Sequence, residues 1–371
     1  MTRVFIFTGK GGVGKTSVAA AHARNSAIDG KKTLIVSTDM AHNLSDLFEV
    51  PIGKTIREIT ANLYALEIDP NYIMNEDFSQ MKRAITNLIG SSGLPLGDIG
   101  QLSVFPGMDE LFSLLKIMDI YEKEEYEQII VDCAPTGETL ALLKFPELLA
   151  WYMEKFFPIG KLAMKVLSPV SKTVFKIQLP DKNAVTDIER LYLKLMELQE
   201  FLKNRKTTSI RLVTMPEKMV VEETKRNYMY MNLYDYLVDG VYINRILPKD
   251  IDNPFFCEWI GIQNQYIDEL ESVFDGLPIY KIPWFDTDLK GLSGVDRIEQ
   301  AVLRGQPVFS LNSDLPGQRF EKTETGYELK LNLPCIEKGE LNLHESGTDI
   351  IVKVGNYKRC IPKPNTLRII P

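Results

Sequence analysis

Residues 8–17 read TGKGGVGKTS, and this stretch decides the fold. Gly9-x-x-x-x-Gly14-Lys15-Thr16 satisfies the phosphate-loop pattern directly after an apolar strand, RVFIF at 3–7, and before a helix, the context the motif requires. Glycines at these offsets let consecutive backbone N–H groups turn toward an anion. The binding stretch so defined is Gly9, Lys10, Gly11, Gly12, Val13, Gly14, Lys15, Thr16 and Ser17. The helix N-terminus adds partial positive charge, Lys15 reaches the β- and γ-phosphates, and the Thr16 hydroxyl suits Mg²⁺. Lys10 has no part in that scheme. On the residues alone it serves equally well as a solvated surface charge.

Working outward, short β-rich runs alternate with longer helical patterns: RVFIFTG (3–9), KTLIVSTD (32–39), QIIVDCAP (128–135), SIRLVTMP (209–216), GVYINRIL (240–247) and IYKIPWF (279–285). Continuous apolar runs between helices predict an α/β fold with a mostly parallel sheet flanked by helices. Stretches 70–125 and 138–205 exceed an ordinary connection and read as helical insertions. In the second, Ile188, Leu191, Tyr192, Leu195, Leu198 and Leu202 form one apolar stripe at helical spacing. Residues 306–317 are rich in Pro, Gly and polar residues and read as a linker. Beyond it, Tyr327, Leu329, Leu331 and Leu333, then Ile350, Val352 and Val354, alternate with polar residues, with HESGT as a turn. That pattern places a small all-β domain at 318–371, after a larger α/β domain at 1–305.

The 371 residues are 44% hydrophobic and 25% charged, an ordinary globular composition. A net charge of −7 without a dense basic run argues against a nucleic-acid partner or an anionic membrane patch. Four dispersed cysteines without a C-x-x-C pair signal neither a disulfide framework nor a zinc clip and fit a reducing compartment. No secretory signal and no membrane-spanning run is expected, so the location expected is the cytoplasm, or an organelle stroma in a plant.

GKGGVGKT resembles the deviant phosphate loop of the ATPase class that holds arsenite-pump, tail-anchored-protein-targeting, cell-division, plasmid-partition and nitrogenase iron-protein ATPases. STDMAHNLSD (37–46) resembles the switch I, VDCAPTGETLALLKFP (131–146) the switch II, and FPGMDE (105–110) the FPGxDE motif, of the arsenite-pump and tail-anchored-targeting family in particular. Over residues 1–305 the resemblance implies a P-loop NTPase fold, ATP and Mg²⁺, and a homodimer across the nucleotide sites in which Lys10 reaches the other subunit's nucleotide. Asp39, at a strand end, then orients or deprotonates the attacking water, Asp132 binds Mg²⁺ through water, and Thr136 and Gly137 form a hinge. Asn43 contacts phosphate or holds the switch. Asn244 and the loop at Pro283 and Trp284 take the places that read adenine, although Trp284 fits a core position as well.

Met40 and Glu138 depart from the family's proline and histidine. Cys133 reads as a small residue packed behind switch II rather than a cluster ligand, since a second suitable cysteine is missing. Clustered thiolates for As(III) are missing too, and no zinc is expected. The insertions resemble a helical subdomain that grips a hydrophobic client or tail-anchor segment, with the Leu-, Phe- and Met-rich residues 147–167 as its groove or as plain core. Residues 326–364 resemble a shortened α-crystallin (small heat-shock) domain with Cys335 in place of glycine, a tail known in one branch of these ATPases. The expectation is thus a dimeric ATPase that opens and closes a hydrophobic surface. The alternatives are a scaffolding ATPase acting through its tail and an arsenite-type pump subunit.

Overall fold

The computed structural model describes residues 2–39, 43–79, 108–133, 187–249, 251, 253–310, 317–324, 326–336, 339–347, 349–355, 357–364 and 367. Met40, Thr136, Gly137, Glu138, the start of FPGMDE at 105–107 and the apolar stretch 147–167 lie outside them. In chain order the elements are β1 (Arg3–Thr8), α1 (Lys15–Ile28), β2 (Thr33–Ser37), α2 (Asn43–Phe48), β3 (Arg57–Thr60), β4 (Leu63–Glu67), α3 (Pro70–Glu76), α4 (Met108–Glu122) and β5 (Gln128–Asp132). There follow α5 (Asp187–Lys203), β6 (Thr208–Thr214), α6 (Lys218–Leu233), β7 (Val238–Ile246), α7 (Pro254–Val273), β8 (Ile279–Pro283) and α8 (Gly291–Ile298), which runs into a π-helical turn at Glu299–Leu303. Five strands close the chain: β9 (Arg319–Lys322), β10 (Tyr327–Lys330), β11 (Leu341–Glu345), β12 (Asp349–Val354) and β13 (Tyr357–Pro362).

Eight strands form one sheet in the order β3-β4-β2-β5-β1-β6-β7-β8, and every pairing except β3 with β4 is parallel. The central strands are buried throughout, as expected for parallel strands covered on both faces. Chain order runs from β1 to one side of the sheet and later to the other. The carboxyl end of β1 is therefore a topological switch point, where open α/β sheets bind ligands. α1 leaves from that point. Val18, Ala19, Ala20, Ala21 and Ala23 on it are all fully buried, and their small side chains let the helix lie close on the sheet.

The chain divides into two compact units: residues 1–67, 124–136 and 202–371 in one, 68–123 and 137–201 in the other. Within the second, α3 packs against α4, the Phe78 and Phe112 rings lie 5.8 Å apart, and Lys194 on α5 pairs with Asp119 at 3.3 Å and Glu122 at 3.5 Å. Leu195, Leu198 and Leu202 of the predicted stripe are buried.

Within the first unit, β9–β10 and β11–β12–β13 form two small antiparallel sheets. Val352, Val354 and Ile361 are their buried apolar side chains among the described residues, and Arg359 is buried beside them. These strands dock on α6: the Tyr234 hydroxyl donates to the Lys358 carbonyl at 3.3 Å, Asn332 donates to Asn232 at 3.2 Å, and the Arg359 guanidinium donates to the Leu233 carbonyl. No helix among the described residues is long and apolar enough to cross a membrane.

Candidate active site

The phosphate loop is held by two close approaches. A Cβ built on Gly9 would stand 2.1 Å from the Val213 carbonyl oxygen of β6, so only glycine lets the loop lie against that strand. Gly14 has φ +89°, and a Cβ there would meet the Asn244 amide nitrogen at 2.4 Å, so it needs glycine on both grounds. Lys15 is 8% exposed, and its side chain turns back over the loop, where the ammonium donates to the Lys10 carbonyl at 3.3 Å. Lys10 points elsewhere. Its ammonium lies 3.7 Å from the Glu223 carboxylate on α6, and the two side chains are 36% and 27% exposed.

Beside the loop, three strand ends converge. Ser37 and Asp132 are register partners on β2 and β5, and Phe7 pairs with Asp132 from β1. Asp132 is 1% exposed, and its Oδ2 accepts from the Thr16 hydroxyl at 2.7 Å and the Ser37 hydroxyl at 3.5 Å. Its Oδ1 is buried with no hydrogen-bond partner. Burial pushes this carboxyl up to about 6, against the pull of the Thr16 hydrogen bond and of Lys15. The Thr16 hydroxyl and the Asp132 carboxylate, whose Oδ1 is orphaned, are hard oxygen donors beside a phosphate loop and fit Mg²⁺. Asp39 follows: its N–H donates to the Ser37 hydroxyl at 3.2 Å, and its Oδ2 accepts from the Asn43 amide at 2.9 Å.

On the far side, Asn244 donates to the Val13 carbonyl at 2.8 Å and accepts from the Arg245 N–H at 2.9 Å. A β-bulge aims it there: the β7–β8 register shifts between Ile243 and Ile246, and Arg245 adopts φ +57°. Pro283 pairs with Ile246, and the Trp284 N–H donates to the Ile246 carbonyl at 2.8 Å. Trp284 is 55% exposed, which removes the core alternative for its side chain. Cys133 is buried, and its N–H donates to the Phe7 carbonyl at 3.0 Å. Cys257, Cys335 and Cys360 are exposed, and no group of three metal-ligating side chains stands together among the described residues.

A family pattern described as anion-transporting ATPase matches residues 2–304. The chain belongs to the anion-transporting ATPase family. A second pattern, an HSP20-like domain found in ArsA, matches residues 324–369, where the structure has β10 to β13. The putative arsenical pump-driving ATPase 1 of Aquifex aeolicus (strain VF5) is 33% identical over 377 residues, covering 99% of this chain and 95% of that one. A putative arsenical pump-driving ATPase of Chlorobaculum tepidum is 33% identical over 368 residues, covering 98% and 91%. The ATPase GET3C of Arabidopsis thaliana is 29% identical over 313 residues, covering 78% and 79%.

In this anion-transporting ATPase the candidate residues stand at or just after the ends of β1, β2, β5, β7 and β8. The described contacts join Thr16 and Ser37 to Asp132, Asn43 to Asp39, Asn244 to the Val13 carbonyl of the loop, and Pro283 and Trp284 to Ile246 on the strand that carries Asn244, while Lys10 turns away to Glu223. Three contributors escaped the sequence reading. Ser37, the first residue of the switch, joins Asp132 to Asp39. Glu223 holds Lys10 from a helix distant in sequence. Glu67, the last residue of β4, accepts two hydrogen bonds from Ser45 on α2. Only Ser37 carried a signal, its place at the end of an apolar run beside Asp39.

Proposed function

We propose that this family member works as a homodimer whose ATP hydrolysis opens and closes a hydrophobic surface for a protein segment. The observation that carries the hydrolytic half is the division of labour between the two lysines. Lys15 lies over its own loop, whereas Lys10 leaves the loop and rests on a partly exposed carboxylate, free to exchange it for a phosphate presented from outside. Lys10, Lys15 and Asp39 are assigned to catalysis, and the loop with Asn43, Asn244, Pro283 and Trp284 to nucleotide binding. Thr16 and Asp132 would hold Mg²⁺, the latter through water. The ion, when bound, neutralises charge on the phosphate oxygens. Asp39, kept in place by Asn43 and Ser37, orients the attacking water or takes its proton while Lys15 steadies the γ-phosphate. Asn244 already spends one N–H on the Val13 carbonyl, so its contact with adenine would come from its remaining N–H or from Oδ1.

Support for the client half is the resemblance of the switch motifs and the Leu-, Phe- and Met-rich residues 147–167. The test is Asp39→Asn. It should keep MgATP affinity while turnover falls by roughly 10² to 10⁴, and the trapped protein should bind a fluorescent tail-anchor peptide better with ATP than without. Unchanged turnover removes Asp39 from its role, and peptide binding indifferent to nucleotide removes the client. A second reading, an anion-pump subunit, is favoured by the names of the relatives that cover nearly the whole chain. Turnover stimulated by arsenite would establish it.

A further inference from the structure

Switch I begins at Ser37, and the chain returns as α2, whose first residue is Asn43. Ser37 and Glu67 are register partners on the adjacent parallel strands β2 and β4, so Glu67 stands beside the strand end from which the switch departs. One end is tied by the Ser37 hydroxyl to Asp132 and to the Asp39 N–H. The other is tied by Glu67. Its side chain is buried, and it accepts from the Ser45 N–H at 2.8 Å through Oε1 and from the Ser45 hydroxyl at 2.8 Å through Oε2. The Ser45 hydroxyl in turn accepts from the Ile52 N–H at 3.0 Å, and the Glu67 N–H donates to the Gly53 carbonyl at 3.1 Å. The loop after α2 is thus folded onto the same pair of residues.

A helix of six residues cannot hold its own shape in water. Leu44, Leu47 and Phe48 bury one face of α2, but apolar contact is non-directional and leaves the helix's position along its axis open. A carboxylate receiving two hydrogen bonds from one residue in the first turn sets that position, and it favours the helix dipole as well. Two residues before Ser45 stands Asn43, which grips Asp39. We propose that Glu67 is a positioning residue for hydrolysis: through Ser45 it fixes the start of α2, and through Asn43 it fixes the carboxylate of Asp39. Glu67 touches neither nucleotide nor water in this scheme. The inference rests on the reading of Asp39 as the residue that handles the attacking water.

The test is a double-mutant cycle in the full-length protein, measuring kcat and KM for ATP and the affinity for a fluorescent ADP. Glu67→Ala should lower kcat by about tenfold to a hundredfold, the range expected when a reacting group is displaced by about an ångström, with KM and ADP affinity unchanged within about twofold. Glu67→Gln keeps an acceptor for the Ser45 N–H and should recover most of the loss. In an Asp39→Asn background Glu67→Ala should cost nothing further, because both act through one carboxylate. Should Glu67→Ala not fold, Ser45→Ala removes the hydroxyl's bonds to Glu67 and from the Ile52 N–H, keeps the Ser45 N–H bond to Glu67, and should lower kcat several-fold at constant KM.

Losses that multiply in the double variant, ADP affinity that falls as far as kcat, or unchanged kcat in folded Glu67→Ala or in Ser45→Ala would overturn the proposal. Full turnover in Asp39→Asn alone would instead overturn the reading beneath it.

Discussion

His22 gives the most quantitative stability prediction. It lies on α1, the helix that leaves the phosphate loop, and is fully buried between the Phe7, Tyr242 and Phe309 rings at 4.9, 4.9 and 5.7 Å. The charged group facing it is Arg211 of β6, whose guanidinium lies 3.5 Å from Nδ1 and also donates to the Tyr242 hydroxyl at 3.1 Å and to Asp239 at 3.2 Å. Burial first, and the Arg211 charge second, hold the imidazole well below its ordinary 6.5, so it is neutral in the folded protein. The sign follows. In the unfolded chain His22 takes up a proton as pH falls through 6.5, and in the folded protein it does not, so its contribution to stability is present above 6.5 and lost below. Between pH 7.5 and pH 5.8, one such proton weakens folding by about 1 kcal/mol. That window stays above the isoelectric point near 5.3. His22→Phe removes the proton site and the buried Nε2, which has no hydrogen-bond partner, while Arg211 keeps Tyr242 and Asp239. Urea midpoints at the two pH values should therefore fall further for the natural protein than for His22→Phe, by a few tenths molar. Parallel shifts in the two proteins would refute the assignment of a neutral His22.

If Lys10 serves the neighbouring subunit, Lys10→Ala and Asp39→Asn should each be nearly inactive alone yet recover on mixing. Half of the re-equilibrated dimers pair one of each, and each such dimer has one complete site, so roughly a quarter of the natural rate should return; no recovery would place Lys10 on its own nucleotide. Gly9→Ala should push the loop off the Val213 carbonyl, costing about 1 to 3 kcal/mol of stability and most nucleotide affinity; binding of a fluorescent ADP equal to that of the natural protein would contradict the 2.1 Å approach.

What was legible in the sequence follows a physical division. Gly9 is required by a backbone contact and Gly14 by its positive φ, both at fixed offsets, and six strands announced themselves as continuous apolar runs, so loop and sheet could be read directly, whereas the strand order came only from the structure. The hairpin of β3 and β4 could not. Leu63–Glu67 matches β5 in length and in ending on an acid but lacks its β-branched run, and the turn through Asn62 at φ +63° carries no glycine to mark it. Arg211 shows the same limit from inside the core: a guanidinium 2% exposed within an apolar run is explained only by Asp239, Tyr242 and the Val308 carbonyl, which other segments bring to it. Side chains assigned to the proposed site by their own chemistry could be named from sequence. Those that belong by holding another residue, Glu67 and Glu223 above all, needed coordinates.

The two lysines of TGKGGVGKTS also differ in the kind of interaction each keeps. Lys15 is buried and donates to a neutral carbonyl of its own loop, so an arriving phosphate replaces a weak partner with a doubly charged one and nothing has to be dismantled. Lys10 gives up an ion pair. A pair this exposed is worth about 0 to 1 kcal/mol, less than one charge-assisted hydrogen bond to a phosphate supplies, so Glu223 restrains Lys10 without trapping it. An arrangement that parks one lysine cheaply while committing the other permanently is what a site needs when one of its cations must be delivered from, or to, another subunit.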